Sequence, residues 1–548
     1  MPTEREIAVQ PRSTAAAVAI PAFGAATLCM LPILGALVSP THTTVYHLVG
    51  PASALFVPAL FNLFLLTGLL TLLLLIATPT NRFGILVWSC FFFSMPWIVA
   101  KGVTTLYQMD FPHRMSLLLF ALCVFCILLS TALWKASRAR VYARGVWLGS
   151  RIFGLAAIFG AILTVQTCWF GWEARHLNDP ATGAASSFGP KTPAPATPGH
   201  PLVLWIVFDE LSHDQVFDSR YPGLELPNLD SFAAQANVFT HVVPADIYTE
   251  RVLPALMGPF GGTSVRTSAD GRGMHLRVPA QGSIPAHWNT FDEYKTVFAD
   301  ADKLGYRPAV VGWFNPYCRI LADVLTSCYW TNQSELSAMF PARTIHENLF
   351  HPAMRLLADI PRFFFPKRFR SEDPANESHL HIDDYQAIRQ AADHTLADPS
   401  LDFLMLHLPI PHPNGIYDRR HNRLTTGPST YIDNLALVDR YLGHVRQVLE
   451  EQHEWDGATV IIMGDHSWRT KLLWITDPRW SAEEQRASHG GKFDDRPFYA
   501  LKLPHQTTAA LIDTAFHATD TQALLDALLA RQITSPQQLE VWTQAHGN

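Results

Sequence analysis

Residues Pro201–Asp214 read PLVLWIVFDELSHD. Seven apolar residues, Leu202 to Phe208, run without a break and stop at Asp209 and Glu210. A short apolar run bounded by polar residues predicts a strand buried on both faces. In open parallel sheets, ligands bind beyond the carboxyl ends of the strands. Asp209 and Glu210 fall at that end, where either carboxylate can ligate a metal ion. The plainer alternative is a cap for the following helix, a role Asp fills well.

Similar runs lie on the carboxyl side of this stretch. Pro308–Trp313, Phe403–Leu408, Thr459–Met463 and Phe498–Leu503 are each short and apolar and end in polar residues or Gly. Between them, Leu435, Val438, Leu442, Val445 and Leu449 recur at helical spacing within Tyr431–Leu449. Strands alternating with helices predict an α/β fold with a mostly parallel sheet and flanking helices.

On the amino side the chain changes character. Hydrophobic residues make up 48% of the 548 and charged residues only 16%, and the deficit of charge is N-terminal. Five apolar stretches, Ala15–Val38, Ala52–Ala77, Phe83–Ala100, Met115–Trp134 and Ile152–Phe170, predict about five membrane spans in residues 1–175. The third is the shortest and holds Pro96. Arg5, Arg12, Arg82, Lys135, Arg138, Arg140, Arg144 and Arg151 flank one side of these spans, and only Lys101 and Arg114 the other. The positive-inside rule then puts the N-terminus in the cytoplasm and everything after residue 175 outside it. No Asp, Glu, Lys or Arg lies mid-span, so the spans read as an anchor and not as a transport path. Residues 176–200 are rich in Pro, Ala, Gly, Ser and Thr and read as a linker to a domain over 201–548.

The net charge of −6 points away from nucleic acid. The basic-aromatic stretch Pro361–Arg370 reads as solvated surface, with a contact to the membrane as the alternative. Of seven cysteines, only Cys318 and Cys328 lie in the polar part, and no CxxC spacing suggests structural zinc. In an oxidising compartment those two are able to pair.

Two further stretches carry chemistry. After Thr459–Met463 comes Gly464-Asp465-His466-Ser467, where Gly permits a sharp turn and Asp and His offer oxygen and nitrogen ligands. Upstream, Thr249 precedes the helix entry Val252–Met257. A hydroxyl there is either an N-cap or, beside a metal ion, a nucleophile.

In order, these pieces resemble the alkaline phosphatase/sulfatase superfamily, and within it the membrane-anchored sulfatase-like branch of lipoteichoic acid synthases and phosphoethanolamine transferases. The resemblance runs from the strand ending in Asp209-Glu210 through LPNLDSFAAQANVFTHV (226–242), YTERVLPALMG (248–258) and LHLPIPHPNGIYD (406–418) to MGDHSW (463–468) and DDRPFYALKLP (494–504). It implies an alkaline-phosphatase-like fold in which Thr249 is the esterified nucleophile. Asp465 and His466 are implied as metal ligands, with Asp209 or Glu210 as a further one. His412 would contact the substrate or leaving group; His407, inside an apolar run, reads as core. His489, Lys492 and Arg496 are further candidates for substrate contact. The implied cofactor is a divalent metal, zinc or manganese ahead of calcium or magnesium. The implied substrates are a lipid phosphodiester donor and a glycan or lipid acceptor. Thr249 stands where classical sulfatases carry the Cys that becomes formylglycine, and Asp-His stands where they more often have Asp-Asn; both favour phosphoryl transfer. A sulfuric ester hydrolase is the second reading, and a binding protein that has lost catalysis the third. The implied location is the inner membrane, with a periplasmic catalytic domain.

Overall fold

A computed structural model describes residues 15–38, 51–77, 82–106, 113–132, 139–175, 199–260, 266–269, 274–279, 288–332, 344–364, 374–477 and 479–547. Most of the linker (176–198), several charged membrane loops and residues 365–373 of the basic-aromatic region lie outside the described residues. Contacts divide the chain into two units. One comprises Met1–Val45, Pro51–His176 and Met339–Phe369; the other comprises Tyr46–Gly50, Leu177–Ala338 and Arg370–Asn548.

The first unit holds five apolar helices: α1 (Ala15–Val38), α2 (Ser53–Ile76), α3 (Arg82–Leu106), α4 (His113–Ala132) and α5 (Ala139–Ala174). Among the described residues, four carry segments long and apolar enough to cross a membrane; in α4 the apolar core is the shorter Leu117–Leu129. The short span is thus the fourth, where the sequence suggested the third. This unit also takes in a segment from far along the chain. Asn62, buried in α2, donates from Nδ2 to the Leu349 carbonyl (2.6 Å) and accepts at Oδ1 from the Ala353 N–H (3.2 Å). Asn348 Nδ2 donates to the Ala54 carbonyl at 3.0 Å, and Phe350 packs edge-on against Phe61. A polar side chain in an apolar helix needs such partners, because unpaired burial is costly. The domain boundary drawn at residue 201 therefore misses that this segment packs with the N-terminal helices.

The second unit is built on an eight-stranded sheet. In chain order its elements include β1 (Val203–Asp209), β2 (Asn237–Phe239), α6 (Thr249–Met257), β3 (Pro308–Trp313), β4 (Ser327–Thr331), α7 (Pro374–Leu396), β5 (Phe403–Pro411), α8 (Tyr431–Glu451), β6 (Thr459–Gly464), β7 (Tyr499–Lys502) and β8 (Ala510–Ile512). The spatial order is β8-β2-β7-β6-β1-β5-β3-β4. β1 is central, parallel to β6 on one side and β5 on the other. β7 runs antiparallel between β6 and β2.

The unbroken apolar run of β1 follows from covering both faces of the sheet. Leu204, Ile206 and Phe208 join a core with Tyr385 and Ile388 of α7 and Leu435, Val438 and Leu442 of α8. On the opposite face Trp205 stacks on Phe298, which stacks on Phe403. α8 is fixed at its start by a reciprocal cap between Thr430 and Asp433.

Strand register sets the site. Phe208 of β1 pairs with Gly464 of β6, so Asp209 and Asp465 leave neighbouring parallel strands at the same level. Gly464 is needed for space, not for a left-handed turn: a Cβ there would stand 2.3 Å from the Leu211 carbonyl oxygen, and its φ is not positive.

Candidate metal centre

Beyond the ends of β1 and β6, Asp209, Asp465 and His466 bring one ligand atom each to within 4.8 Å of one another. All three side chains are buried. The Asp465 carboxylate is fixed by two backbone donors: Oδ1 accepts from the N–H of Glu210 (3.0 Å) and of His466 (2.7 Å). Its other oxygen, Oδ2, accepts from the Thr249 hydroxyl at 2.9 Å. Thr249 is the first residue of α6, and Tyr248 occupies the N-cap. The Thr249 hydroxyl therefore points into the acidic cluster and does not cap its helix.

His466 is held by the Nδ1–H it donates to the Ser467 carbonyl (3.1 Å). That bond selects the tautomer with a bare Nε2. Nε2 faces Thr249 Oγ1 at 3.4 Å, Asp465 Oδ2 at 3.4 Å and Asp209 Oδ1 at 3.6 Å. Burial, then the charge of Arg469, lowers the imidazole to about 4, so it is neutral at physiological pH. Burial also raises Asp465 from the usual carboxylate range.

This donor set fits a divalent cation. Two carboxylates and a neutral imidazole nitrogen converge in a buried site, and the Thr249 hydroxyl proton is directed at one of the carboxylates. The nearby cation, Arg469, pairs with Glu210. Buried charges need such a partner. A mixed nitrogen and carboxylate set suits zinc or manganese better than calcium.

Glu210 does not join this group. The pairing of β1 with β5 shifts register at Phe208/Asp209, and Glu210 then takes a left-handed φ of 66°. The kink sends consecutive side chains apart. Glu210 is enclosed by Arg469, whose Nε donates at 2.7 Å and whose backbone N–H donates at 3.2 Å, and by the indole N–H of Trp474 at 2.9 Å. Its own carbonyl accepts from the Tyr431 hydroxyl at 2.7 Å. Arg469, Trp474 and Tyr431 were not singled out from sequence, and no local pattern marks them.

His412 lies close by. Its ring meets Trp474 edge-on at 5.1 Å between centroids, and its Nδ1 donates to the Pro413 carbonyl at 2.7 Å. Burial, Arg469 and His381 together push its pKa well down. His407 is buried with Nδ1 2.8 Å from the Tyr317 hydroxyl, as a core residue, and its field also acts on Asp465. The remaining candidates stand apart from the cluster. His489 and Lys492 are exposed. Arg496 is taken by Asp494 (2.8 Å) and Asp218 (2.7 Å).

No family profile matches this chain, and no curated protein matches it. Several solved structures are similar to it. They include the phosphonate monoester hydrolase of Agrobacterium radiobacter, at 14% identity over 60% of this chain and 74% of that one, TM-score 0.35. Murine ectonucleotide pyrophosphatase/phosphodiesterase 5 is 10% identical over 61% and 96%, TM-score 0.34. The lipoteichoic acid synthase LtaP from Listeria monocytogenes is 12% identical over 60% and 72%, TM-score 0.33.

Proposed function

We propose that the protein is a membrane-anchored, metal-dependent enzyme that transfers or hydrolyses the phospho group of a lipid or glycan phosphodiester outside the cytoplasm, through a phospho-threonine at Thr249. One observation carries this reading. The buried Thr249 hydroxyl sits 2.9 Å from Asp465 Oδ2 and 3.4 Å from His466 Nε2, among the candidate metal ligands.

A divalent ion bound there supplies polarisation of the phosphoryl oxygens and a lowered hydroxyl pKa. Thr249 Oγ1 forms the new bond to phosphorus, and the bond from phosphorus to the departing alcohol breaks. The hydroxyl proton is directed at Asp465 Oδ2 and is held there, while the departing oxygen takes a proton from water. In the second half, water or an acceptor hydroxyl attacks phosphorus and gives up its proton, and Thr249 Oγ1 leaves and takes back the proton held on Asp465 Oδ2. His412 suits the attacking proton: with Nδ1–H held by Pro413, its Nε2 is an acceptor. Thr249 in place of an oxidisable Cys favours phosphorus over sulfate esters. The disulfide between Cys318 and Cys328 supports an oxidising compartment.

Thr249→Ala is expected to keep the melting temperature and to lose turnover of a generic phosphodiester by orders of magnitude, beyond any helix-end effect. Mass spectrometry of the wild-type Thr249 peptide after incubation with membrane lipids is expected to find a phospho adduct. A Thr249→Ala protein as active as wild type would end this mechanism. Wild-type turnover of sulfate esters alone would favour the sulfatase reading.

A further inference from the structure

Next to the candidate centre, in the same unit, is a cavity of about 840 Å³. It shares a wall with the residues that flank the centre. Trp474, which lines the cavity, gives its indole N–H to Glu210 and its ring edge to His412. Pro413 and Asn414, the two residues after His412, line it as well.

On another side Trp480 lines the cavity, and behind it stands a stack of buried aromatic rings. Tyr431 and Trp468 lie 4.1 Å apart and within 1° of parallel, and Trp480 leans on Trp468 at 5.4 Å. Trp480 lines the cavity and is pinned by its indole N–H, which donates to Gln485 Oε1 at 2.7 Å. Such a ring is ordered before any ligand arrives, so little rotamer freedom is lost on binding. The stack is anchored at its inner end by the bond from Tyr431 to the Glu210 carbonyl.

The charges lining the cavity are unfavourable to an anion. Three arginines face five carboxylates. Arg419 is paired with Asp433 (2.7 Å) and Glu483, and Arg479 with Asp477 (3.0 Å) and Glu377 (2.9 Å). No surplus of positive charge is left to take a sulfate or phosphate. Two held indole rings, Trp474 and Trp480, beside oriented carboxylates and guanidinium groups are instead the chemistry that receives a sugar. Its C–H face packs on a ring, and its hydroxyls find acceptors and donors around the edge.

We infer that this cavity binds a carbohydrate that carries no anionic groups. Its role as the seat of the acceptor rests on the transfer reading proposed above; the binding itself does not. The volume accommodates more than one sugar ring, so an oligosaccharide is the fitting probe.

The test is calorimetric binding to the full-length protein, held in a detergent without a sugar head group. The probes are the trisaccharides of N-acetylglucosamine and of glucosamine, and a sulfated chondroitin tetrasaccharide. At least one of the two trisaccharides is expected to bind saturably, and at least tenfold more tightly than the sulfated chain. Trp480→Ala is expected to weaken that binding at least tenfold, Trp480→Phe less than Trp480→Ala, and Thr249→Ala not at all, with melting temperature as the control of folding. Binding of neither trisaccharide, preference for the sulfated chain, or indifference to Trp480→Ala in a folded protein would each overturn the inference. Should Trp480→Ala fail to fold, Asp477→Asn replaces it, with a weakening of at least threefold expected and indifference again overturning the inference. Sugar binding by a protein without phosphodiesterase turnover would leave this inference standing while the transfer reading fell. Turnover without sugar binding would sink this inference alone.

Discussion

At the scale of single residues, Glu210 and Asp209 show why adjacent carboxylates take different work. Asp209 stays with the candidate cation-binding group, whereas Glu210 turns back at a positive φ onto Arg469. Both members of the Glu210–Arg469 pair are buried, and removing one leaves the other charge stranded. Arg469→Met is expected to cost about 3–5 kcal/mol. The double change Glu210→Gln/Arg469→Met should cost much less, since no charge is then left alone; thermal melting of the three proteins checks both outcomes. At the cation site, His466→Ala should strongly lower the metal content of the purified protein, and unchanged content would remove His466 from the ligand set. The choice between Asp209 and Glu210 was not legible in FDEL, because it depends on a partner 259 positions away and on a register shift with β5. Asp465, His466 and Thr249 were legible as a group through their order along the chain.

At the scale of elements, long buried strands were readable and several short strands were not. Pro308–Trp313 matches its expected bounds, and Thr459–Met463 extends by one residue to Gly464. β2, β4 and β8, of three to five residues, passed unnoticed: Asn237, Ser327 and Thr331 break the apolar signal of the first two, and β8 is only three residues long. β7 was found, but nothing in its composition reveals that it runs backwards. Gly464 was read as a turn residue; the carbonyl of Leu211 is the actual constraint. Gly464→Ala is therefore expected to push β6 from Leu211, lowering both melting temperature and metal content, while Ala500→Gly on β7 should leave metal content unchanged. A pH effect belongs to the helix Thr521–Leu529. Burial, then repulsion from Asp300, pushes the Asp526 carboxyl up to about 6. The folded state thus holds a proton that the unfolded chain, at about 3.9, has released. The stabilisation is complete below about pH 4 and is lost as pH rises through 6. Asp526→Asn should raise the melting temperature at pH 7.5 and leave it unchanged at pH 4.

At the scale of the whole molecule, the sequence divides the chain into anchor, linker and globular part, but the fold does not keep that linear order. The loop charges predict a cytoplasmic N-terminus, so a reporter fused after Asn548 should be active only if it is of a kind that works outside the cytoplasm. Denatured without reductant, the protein should show five titratable thiols of its seven, Cys318 and Cys328 being bonded. The segment through Asn348 and Ala353, bonded to α2 residues 287 or more positions before it, alters how the protein behaves towards proteases. A cut within 176–200 would sever only one of the covalent passages between the two units. The chain returns to the helical unit before residue 344 and leaves it again after residue 364, so the clipped globular part stays tethered. Carbonate washing of such nicked membranes should leave it in the pellet, and only additional cleavage on both sides of residues 344–364 should shed it as a soluble fragment.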